Sequence, residues 1–202
     1  MSGKLILYVH GLGGNFSEAE HYKKICPGFD IIGVDYDNYL PWEVQETIKN
    51  CYDEARKNYK FIYVLANSIG AYFAMHALKN CEIVKALFIS PVLDMENVIL
   101  NMMTRAGISE SFLREKGEFI TDSGEVLSWK YLTFVRENPI KWQVPTEILY
   151  ASNDNITSRK IVDKFISSHN ARLTVMENGE HYFHTEVQIN FLNQWLRKVV
   201  QS

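Results

Sequence analysis

The stretch VLANSIGAYF, residues 64–73, decides the interpretation of this sequence. It lies in a run from Phe61 to Leu78 that contains no Asp, Glu, Lys or Arg, and a polar pair, Asn67 and Ser68, interrupts that run. β-Branched and aromatic residues precede the pair and helix-forming residues follow it, so the pattern predicts a strand, a tight turn and a helix. The same change of residue type argues against a membrane-spanning helix, although the run is about as long as one.

Short apolar runs alternate with helical-period segments along most of the chain. The predicted strands are 5–9, 29–34, 61–66, 84–89, 147–151 and 172–176. The predicted helices are one that begins at Pro41, followed by 69–79, 158–168 and 187–200. Apolar strands that alternate with helices predict a mostly parallel sheet covered on both faces, which is a doubly wound α/β fold of about six strands. In such folds the ligand site lies at the carboxyl ends of the strands.

The interval 94–143 breaks this alternation. A structureless loop of that length is rare in a compact domain, so we predict a mostly helical insertion over the carboxyl edge of the sheet. The predicted organisation is a core of residues 1–93 and 144–202 that carries 94–143 as a lid. Large apolar side chains in the insertion, including Met102, Met103 and Trp129, could pack it onto the core or line a substrate pocket, and the sequence leaves both roles open.

The turn at Ser68 resembles the nucleophile elbow of the α/β-hydrolase family, whose common pattern is G-x-S-x-G. Gly70 matches the last glycine, and Ala66 replaces the first, a departure that the elbow tolerates because the position requires little side-chain volume. The resemblance covers nearly the whole chain, and it implies a reduced α/β-hydrolase fold with the activity of a small serine hydrolase or esterase. The alternative is that Ser68 only caps the helix that follows.

A serine nucleophile needs a base to take its proton and a carboxylate to orient that base. Asp154 follows the fifth predicted strand and His181 follows the sixth, so both should lie at the same sheet edge as Ser68. The order Ser, Asp, His along the chain is the one that the α/β-hydrolase family uses. His184 is the alternative base, disfavoured because we expect the last helix to have begun there, and Asp94 is the alternative acid.

The first predicted strand runs into His10-Gly11-Leu12-Gly13-Gly14. This segment resembles the HG loop of α/β-hydrolases, whose backbone N–H joins that of the residue after the nucleophile in an oxyanion hole. The resemblance implies that the N–H groups of Leu12 and Ile69 are the two donors.

The composition of the chain limits which partners and which cellular compartment we expect. The 202 residues carry a formal net charge of −3, which gives no electrostatic reason to expect nucleic acid or an anionic membrane as a partner. Three widely spaced cysteines and the absence of a secretory signal favour the reducing cytoplasm. We predict a small-molecule acyl substrate, no cofactor and no metal, since His181 and His184 lack a third ligand with zinc-like spacing. The sequence carries no signal for oligomeric state.

Two other functions compete with the hydrolase prediction. Gly11 and Gly13 after a first strand, with Asp35 at the end of the second, imitate a dinucleotide-binding unit, but Phe16 stands where that motif needs a small residue. A ligand receptor built on a hydrolase scaffold is the other alternative, because fold does not determine function.

Overall fold

The computed structural model describes residues 3–201. In chain order the strands are β1 (Gly3–Val9), β2 (Asp30–Gly33), β3 (Tyr59–Asn67), β4 (Ala86–Ile89), β5 (Glu118–Ile120), β6 (Val126–Ser128), β7 (Thr146–Ala151) and β8 (Ala171–Met176). The α-helices are α1 (Ala19–Lys23), α2 (Pro41–Arg56), α3 (Ile69–Ala77), α4 (Met95–Arg105), α5 (Glu110–Lys116), α6 (Trp129–Glu137), α7 (Arg159–Ser168) and α8 (Glu186–Gln201). A short 3-10 helix, Phe16–Glu18, precedes α1.

The chain divides into two compact units, one formed by Met1–Leu93 with Lys141–Ser202 and the other by Asp94–Ile140. The predicted insertion extends to residue 143, three residues beyond the end of the second unit. The difference has a physical cause, because Trp142 is buried in the first unit. Its ring lies 6.0 Å from that of Phe88, and its indole N–H donates to the hydroxyl oxygen of Thr146 at 2.8 Å.

The first unit contains a six-stranded sheet in the order β2-β1-β3-β4-β7-β8, with every neighbouring pair parallel. Residues 5–9 of β1 are fully buried, as expected for a strand covered on both faces. Helices α1 and α8 pack on one face, against Ile6, Tyr8 and Leu65, whereas α2 and α3 pack together and against β1 and β3. The prediction of a doubly wound, mostly parallel sheet of about six strands is confirmed.

The second unit contains three helices, α4, α5 and α6, and an antiparallel hairpin formed by β5 and β6. The guanidinium of Arg136 on α6 links the helices: it binds both carboxylate oxygens of Glu110 at 2.7 Å and one oxygen of Glu96 at 2.6 Å. The sequence predicts a mostly helical insertion but not the hairpin, whose strands have only three residues each. Among the described residues, no helix is both long enough and apolar enough to cross a membrane.

Candidate active site

The bend between β3 and α3 places Ser68 in a backbone conformation that residues with side chains rarely adopt, with φ of 53° and ψ of −121°. Close packing behind the bend enforces this geometry. A Cβ atom at Gly70 would lie 2.4 Å from the carbonyl oxygens of both Val9 and His10, so only glycine allows α3 to approach the end of β1 this closely. The strand-to-helix elbow expected from the sequence is therefore present.

Neighbouring strands fix the backbone of the elbow. The Ser68 N–H donates to the Ile89 carbonyl oxygen at 2.9 Å, and the Val92 N–H donates to the Ser68 carbonyl oxygen at 3.0 Å. The Ser68 side chain makes no capping hydrogen bond to α3, so it does not act as a helix cap. The hydroxyl is directed instead towards the loops that follow β7 and β8.

Three side chains from distant parts of the chain form a continuous hydrogen-bonded series. Ser68 Oγ lies 2.8 Å from His181 Nε2, and His181 Nδ1 lies 2.7 Å from Asp154 Oδ2. The Asp154 side chain is completely buried, and that of His181 is 12% exposed. With Asp154 ionised, Nδ1 carries the proton that Asp154 accepts, and Nε2 is left to accept the serine hydroxyl proton.

Asp154 is held by its own loop. Its second oxygen, Oδ1, accepts hydrogen bonds from the backbone N–H groups of Ile156 and Thr157, each at 2.8 Å. The Thr157 hydroxyl in turn donates to the Pro91 carbonyl oxygen at 3.0 Å, which ties the aspartate loop to the segment after β4. Sequence reasoning did not identify Thr157. The signal was an Asp followed three residues later by Thr, a pattern typical of turns closed by side-chain acceptors.

The glycine loop after β1 lies against the elbow, since a Cβ atom at Gly11 would be 3.2 Å from the Cβ atom of Ser68. The loop closes as a turn in which the Gly14 N–H donates to the Gly11 carbonyl oxygen at 3.1 Å. Two tyrosines hold it: the Tyr36 hydroxyl donates to the His10 carbonyl oxygen at 2.5 Å, and the Tyr39 hydroxyl accepts from the Gly13 N–H at 3.0 Å.

The two N–H groups expected in the oxyanion hole belong to Leu12 in this loop and to Ile69, the first residue of α3. Within residues 3–201, neither N–H donates to a protein acceptor. The Leu12 side chain is 74% exposed, so it contributes nothing to the core. Leu12 lines the cavity described below, and the role of both N–H groups in an oxyanion hole stays a prediction.

A cavity of about 610 Å³ opens at Ser68 and His181. The loop 11–14 and Asn67 form part of its wall. The rest of the wall comes from the segment 18–22, Ile89 at the end of β4, Ile156 in the loop after β7, the loop before α8, and α8 itself. The cavity is large enough for a small organic molecule, and its walls are mostly aliphatic, aromatic or glycine.

The alternative residues occupy other environments. His184 also lies in the loop, because α8 begins only at Glu186, so the expectation that His184 is already helical is wrong. Its Nδ1 lies 2.8 Å from the Tyr182 carbonyl oxygen, and Ser68 is bonded to His181 instead. Asp94 caps α4 by accepting the Asn97 N–H at 3.0 Å.

The predicted substrate-binding residues of the insertion lie on two helices of the second unit. Met103 is buried and Met102 is half-buried, both on α4. Trp129 is the first residue of α6, and the guanidinium of Arg114 lies 4.7 Å from the centre of its ring. Their role in substrate binding stays a prediction.

The three histidines outside the glycine loop and the loop before α8 have separate surroundings. His21 lines the cavity, and its Nε2 lies 2.9 Å from Asn193 Oδ1. His169 stacks on Phe165. His76 is buried on α3, and burial lowers its pKa to about 4.

Within the part of the chain that the structure describes, no group of three or more His, Cys, Asp or Glu residues could hold a metal ion. The dinucleotide alternative fits the fold poorly. It needs a glycine turn that opens directly into a long helix, whereas loop 11–14 leads into the three-residue 3-10 helix and the five-residue α1.

Comparison with solved structures identifies the architecture as the α/β-hydrolase fold. Est1E from Butyrivibrio proteoclasticus aligns with a TM-score of 0.79 and 17% identity over 99% of this chain and 88% of its own. Alpha/beta hydrolase domain-containing protein 10 from mouse aligns at 0.73 and 15%, over 100% and 92%. The esterase Pf2001 from Pyrococcus furiosus aligns at 0.68 and 17%, over 99% and 81%. No protein-family model and no curated protein matches the sequence. At these identities the likeness establishes the fold alone.

Proposed function

We propose that this protein is a serine hydrolase that cleaves an acyl bond, most simply a carboxylic ester, through Ser68, His181 and Asp154. The single observation that carries the proposal is the hydrogen-bonded series from Ser68 through His181 to Asp154, with its serine end open to a cavity. Nucleophile, base and orienting carboxylate stand in the order that acyl transfer requires. Names among the structural neighbours, such as esterase Pf2001, agree with this chemistry.

In the first half of the reaction, Ser68 Oγ attacks the carbonyl carbon of the ester while His181 Nε2 takes the hydroxyl proton. The carbonyl oxygen becomes an oxyanion, and the N–H groups of Leu12 and Ile69 donate to it. Asp154 stays ionised and stabilises the imidazolium through Nδ1. When the tetrahedral intermediate collapses, His181 returns the proton to the leaving alkoxide, so that an alcohol departs and an acyl-enzyme remains.

In the second half, water replaces the alcohol. His181 removes a proton from the water as it attacks the acyl carbon, and the same two N–H groups stabilise the second oxyanion. Breakdown of this intermediate returns the proton to Ser68 Oγ and releases the carboxylic acid. Removing one donor of an oxyanion pair typically costs about 3 kcal/mol of transition-state stabilisation.

The size and polarity of the acyl group can be proposed from the residues of the cavity wall. A wall of mostly apolar residues favours a small or medium organic acyl group, and the chemistry also permits thioester, amide or peptide bonds. We propose that the second unit acts as a lid and that Met102, Met103 and Trp129 contact the substrate. p-Nitrophenyl esters of graded chain length test the fit, because the length at which kcat/KM falls measures the room available.

The decisive experiment is covalent labelling with a fluorophosphonate, which reacts with activated serines. We expect the native protein to be labelled and Ser68→Ala to remain unlabelled. Peptide mapping should place the adduct on Ser68. A folded native protein that resists labelling would favour the alternative, a ligand receptor on a hydrolase scaffold.

We also propose that the protein works in the reducing cytoplasm. All three cysteines are free thiols, with Cys26 buried and Cys51 and Cys81 half-buried. Burial raises the pKa of Cys26 to about 11, so this thiol stays protonated and unreactive. Cell fractionation with an antibody against the chain would test the compartment.

A further inference from the structure

The cavity that begins at Ser68 contains one feature that ester hydrolysis does not require. Among the described residues that line it, Glu18 is the only one with a formally charged side chain, counting Asp, Glu, Lys and Arg. It lies at the end of the 3-10 helix before α1, in the same cavity as His181 and Ser68. A carboxylate in a cavity with mostly apolar walls needs a physical explanation.

The protein supplies this carboxylate with neutral donors only. One oxygen, Oε2, accepts the hydroxyl of Tyr8, and the other, Oε1, accepts the Asn15 backbone N–H at 3.3 Å. Burial, followed by the nearby Tyr22 and the Glu18 carboxylate, raises the pKa of Tyr8, so the phenol keeps its proton and remains a donor. Within residues 3–201, Glu18 has no salt bridge to Lys, Arg or His. Each carboxylate oxygen can still accept a further hydrogen bond.

Aromatic rings line the same cavity. Tyr22, Tyr182 and Phe183 all belong to its wall, and Tyr22 packs against Tyr8 with ring centres 5.0 Å apart. One carboxylate together with several aromatic rings, and no lysine or arginine, is a combination that attracts organic cations, through the charge and through the faces of the rings. A neutral acyl chain would gain nothing from the charge.

We propose that Glu18 is the anionic end of a subsite for an organic ammonium group, so that the preferred substrate carries a positively charged nitrogen on its acyl or alcohol part. The preference for a charged substrate rests on the proposed hydrolase function. The binding of an ammonium group near Glu18 does not depend on that function. The competing explanation is that Glu18 serves only the fold, because it completes a capping box with Asn15 and holds Tyr8.

A binding experiment separates these explanations without any catalysis. n-Pentylammonium and 1-pentanol have nearly the same shape and differ in charge. Their dissociation constants are measured by calorimetry or ligand-observed NMR on Ser68→Ala, alone and combined with Glu18→Gln or Glu20→Gln. Glu20→Gln is the matched control. It removes the same charge only two residues along the chain, but the Glu20 side chain is exposed and paired with Lys23.

With Glu18 present, we expect the ammonium to bind about tenfold more tightly than the alcohol, because the half-buried carboxylate has no cationic partner to give up and can keep its hydrogen bonds to Tyr8 and Asn15 while it attracts a cation. Glu18→Gln should bring the ratio of the two constants to about one, and Glu20→Gln should leave it unchanged. Equal binding of the two ligands with Glu18 present, or a ratio that Glu18→Gln does not alter, would overturn the proposal. A purely structural Glu18 would change the melting temperature but not the ratio.

Turnover then tests whether the subsite selects substrates. The two substrates are the p-nitrophenyl ester of γ-trimethylammoniobutyrate and its carbon isostere, in which a tert-butyl group replaces the trimethylammonium. We expect kcat/KM to favour the charged ester about tenfold in the native protein and in Glu20→Gln, but not in Glu18→Gln. Ammonium binding without any hydrolysis would refute the hydrolase and leave the subsite standing. Serine-dependent hydrolysis without charge preference would refute the subsite alone.

Discussion

At the residue scale, Ser68 depends on the fold for its conformation. Its positive φ is unfavourable for a residue with a side chain, and it persists because hydrogen bonds to Ile89 and Val92 and the close contact behind Gly70 fix the bend. The hydroxyl therefore points at His181 before any ligand binds. For the proposed reaction, such preorganisation means that the hydroxyl and the imidazole need little reorganisation before the attack.

Substitutions in the series from Ser68 to Asp154 should affect turnover rather than folding. We expect Ser68→Ala and His181→Ala to lower kcat by roughly 10⁴- to 10⁶-fold, and Asp154→Asn to lower it somewhat less. Steady-state hydrolysis of a p-nitrophenyl ester measures the change, and circular dichroism checks the fold. His184→Ala is the matched control, with kcat expected near that of the native protein. If His181→Ala retained native turnover, the role of the base would pass to His184.

Thr157 supports Asp154 without touching the reacting atoms. Thr157→Val keeps the backbone N–H that binds Asp154 but removes the hydroxyl that anchors the loop to the Pro91 carbonyl oxygen. We expect kcat to fall about threefold to tenfold with KM nearly unchanged, because the aspartate loses orientation. Thr157→Ser, which retains the hydroxyl, should restore most of kcat. A rise in KM with constant kcat would show that the residue serves binding instead.

Ser68, Asp154 and His181 were predictable individually because each lies in the turn or loop that follows an apolar strand, and parallel strands bring their carboxyl ends to one edge. Thr157, Tyr36 and Glu18 were not. The Asp154–Thr157 spacing is a local signal for the turn, but the contacts of Thr157 with Pro91, of Tyr36 with His10 and of Glu18 with Tyr8 join segments that no local pattern brings together. His184 shows a different failure, since it was expected to be helical and lies instead in the loop before α8, which begins at Glu186.

At the element scale, α3 packs closely against the end of β1 behind Ser68. We expect Gly70→Ala to lower the free energy of unfolding by roughly 2 to 4 kcal/mol, or to prevent folding, because the new Cβ would overlap two backbone oxygens. Denaturant unfolding measures the loss. Gly124→Ala in the hairpin is the control. It has a positive φ but no atom within 4 Å of the new Cβ, so its loss should be about 1 kcal/mol.

Element boundaries were harder to predict than element types. β3 begins at Tyr59, two residues before the predicted start, because its first residues are exposed or half-buried and break the apolar run. The β5–β6 hairpin was missed because three-residue strands give too few alternations to detect. The fully buried residues 5–9 of β1 and the four buried residues of β4 gave the clearest signal.

At the scale of the whole molecule, one buried histidine should make stability depend on pH. Burial, with a smaller contribution from Lys79, lowers the pKa of His76 from 6.5 to about 4, so the unfolded chain binds this proton more readily than the folded one. The stability that the neutral His76 side chain contributes is complete above pH 6.5 and is lost as the pH falls towards 4.

The loss attributable to His76 between pH 7 and pH 5 should be about 2 kcal/mol. Denaturant unfolding of the native protein and of His76→Leu at both pH values isolates this loss. A change in packing alters the stability of the variant equally at the two pH values, so it cancels when the values for each protein are subtracted. We expect the variant to lose about 2 kcal/mol less than the native protein over this interval. Identical losses would mean that His76 contributes no acid sensitivity.

The hydrogen-bonded series joins Ser68 to His181, which are 113 positions apart, and His181 to Asp154, which are 27 positions apart. A chain emerging from the ribosome therefore exposes its serine long before the imidazole has been synthesised. Under the proposed mechanism, we expect Ser68 to stay unreactive in every partly made chain and to become reactive only after β8, the last strand of the chain, has joined the sheet. In a refolding experiment, the onset of serine reactivity would time that final assembly step.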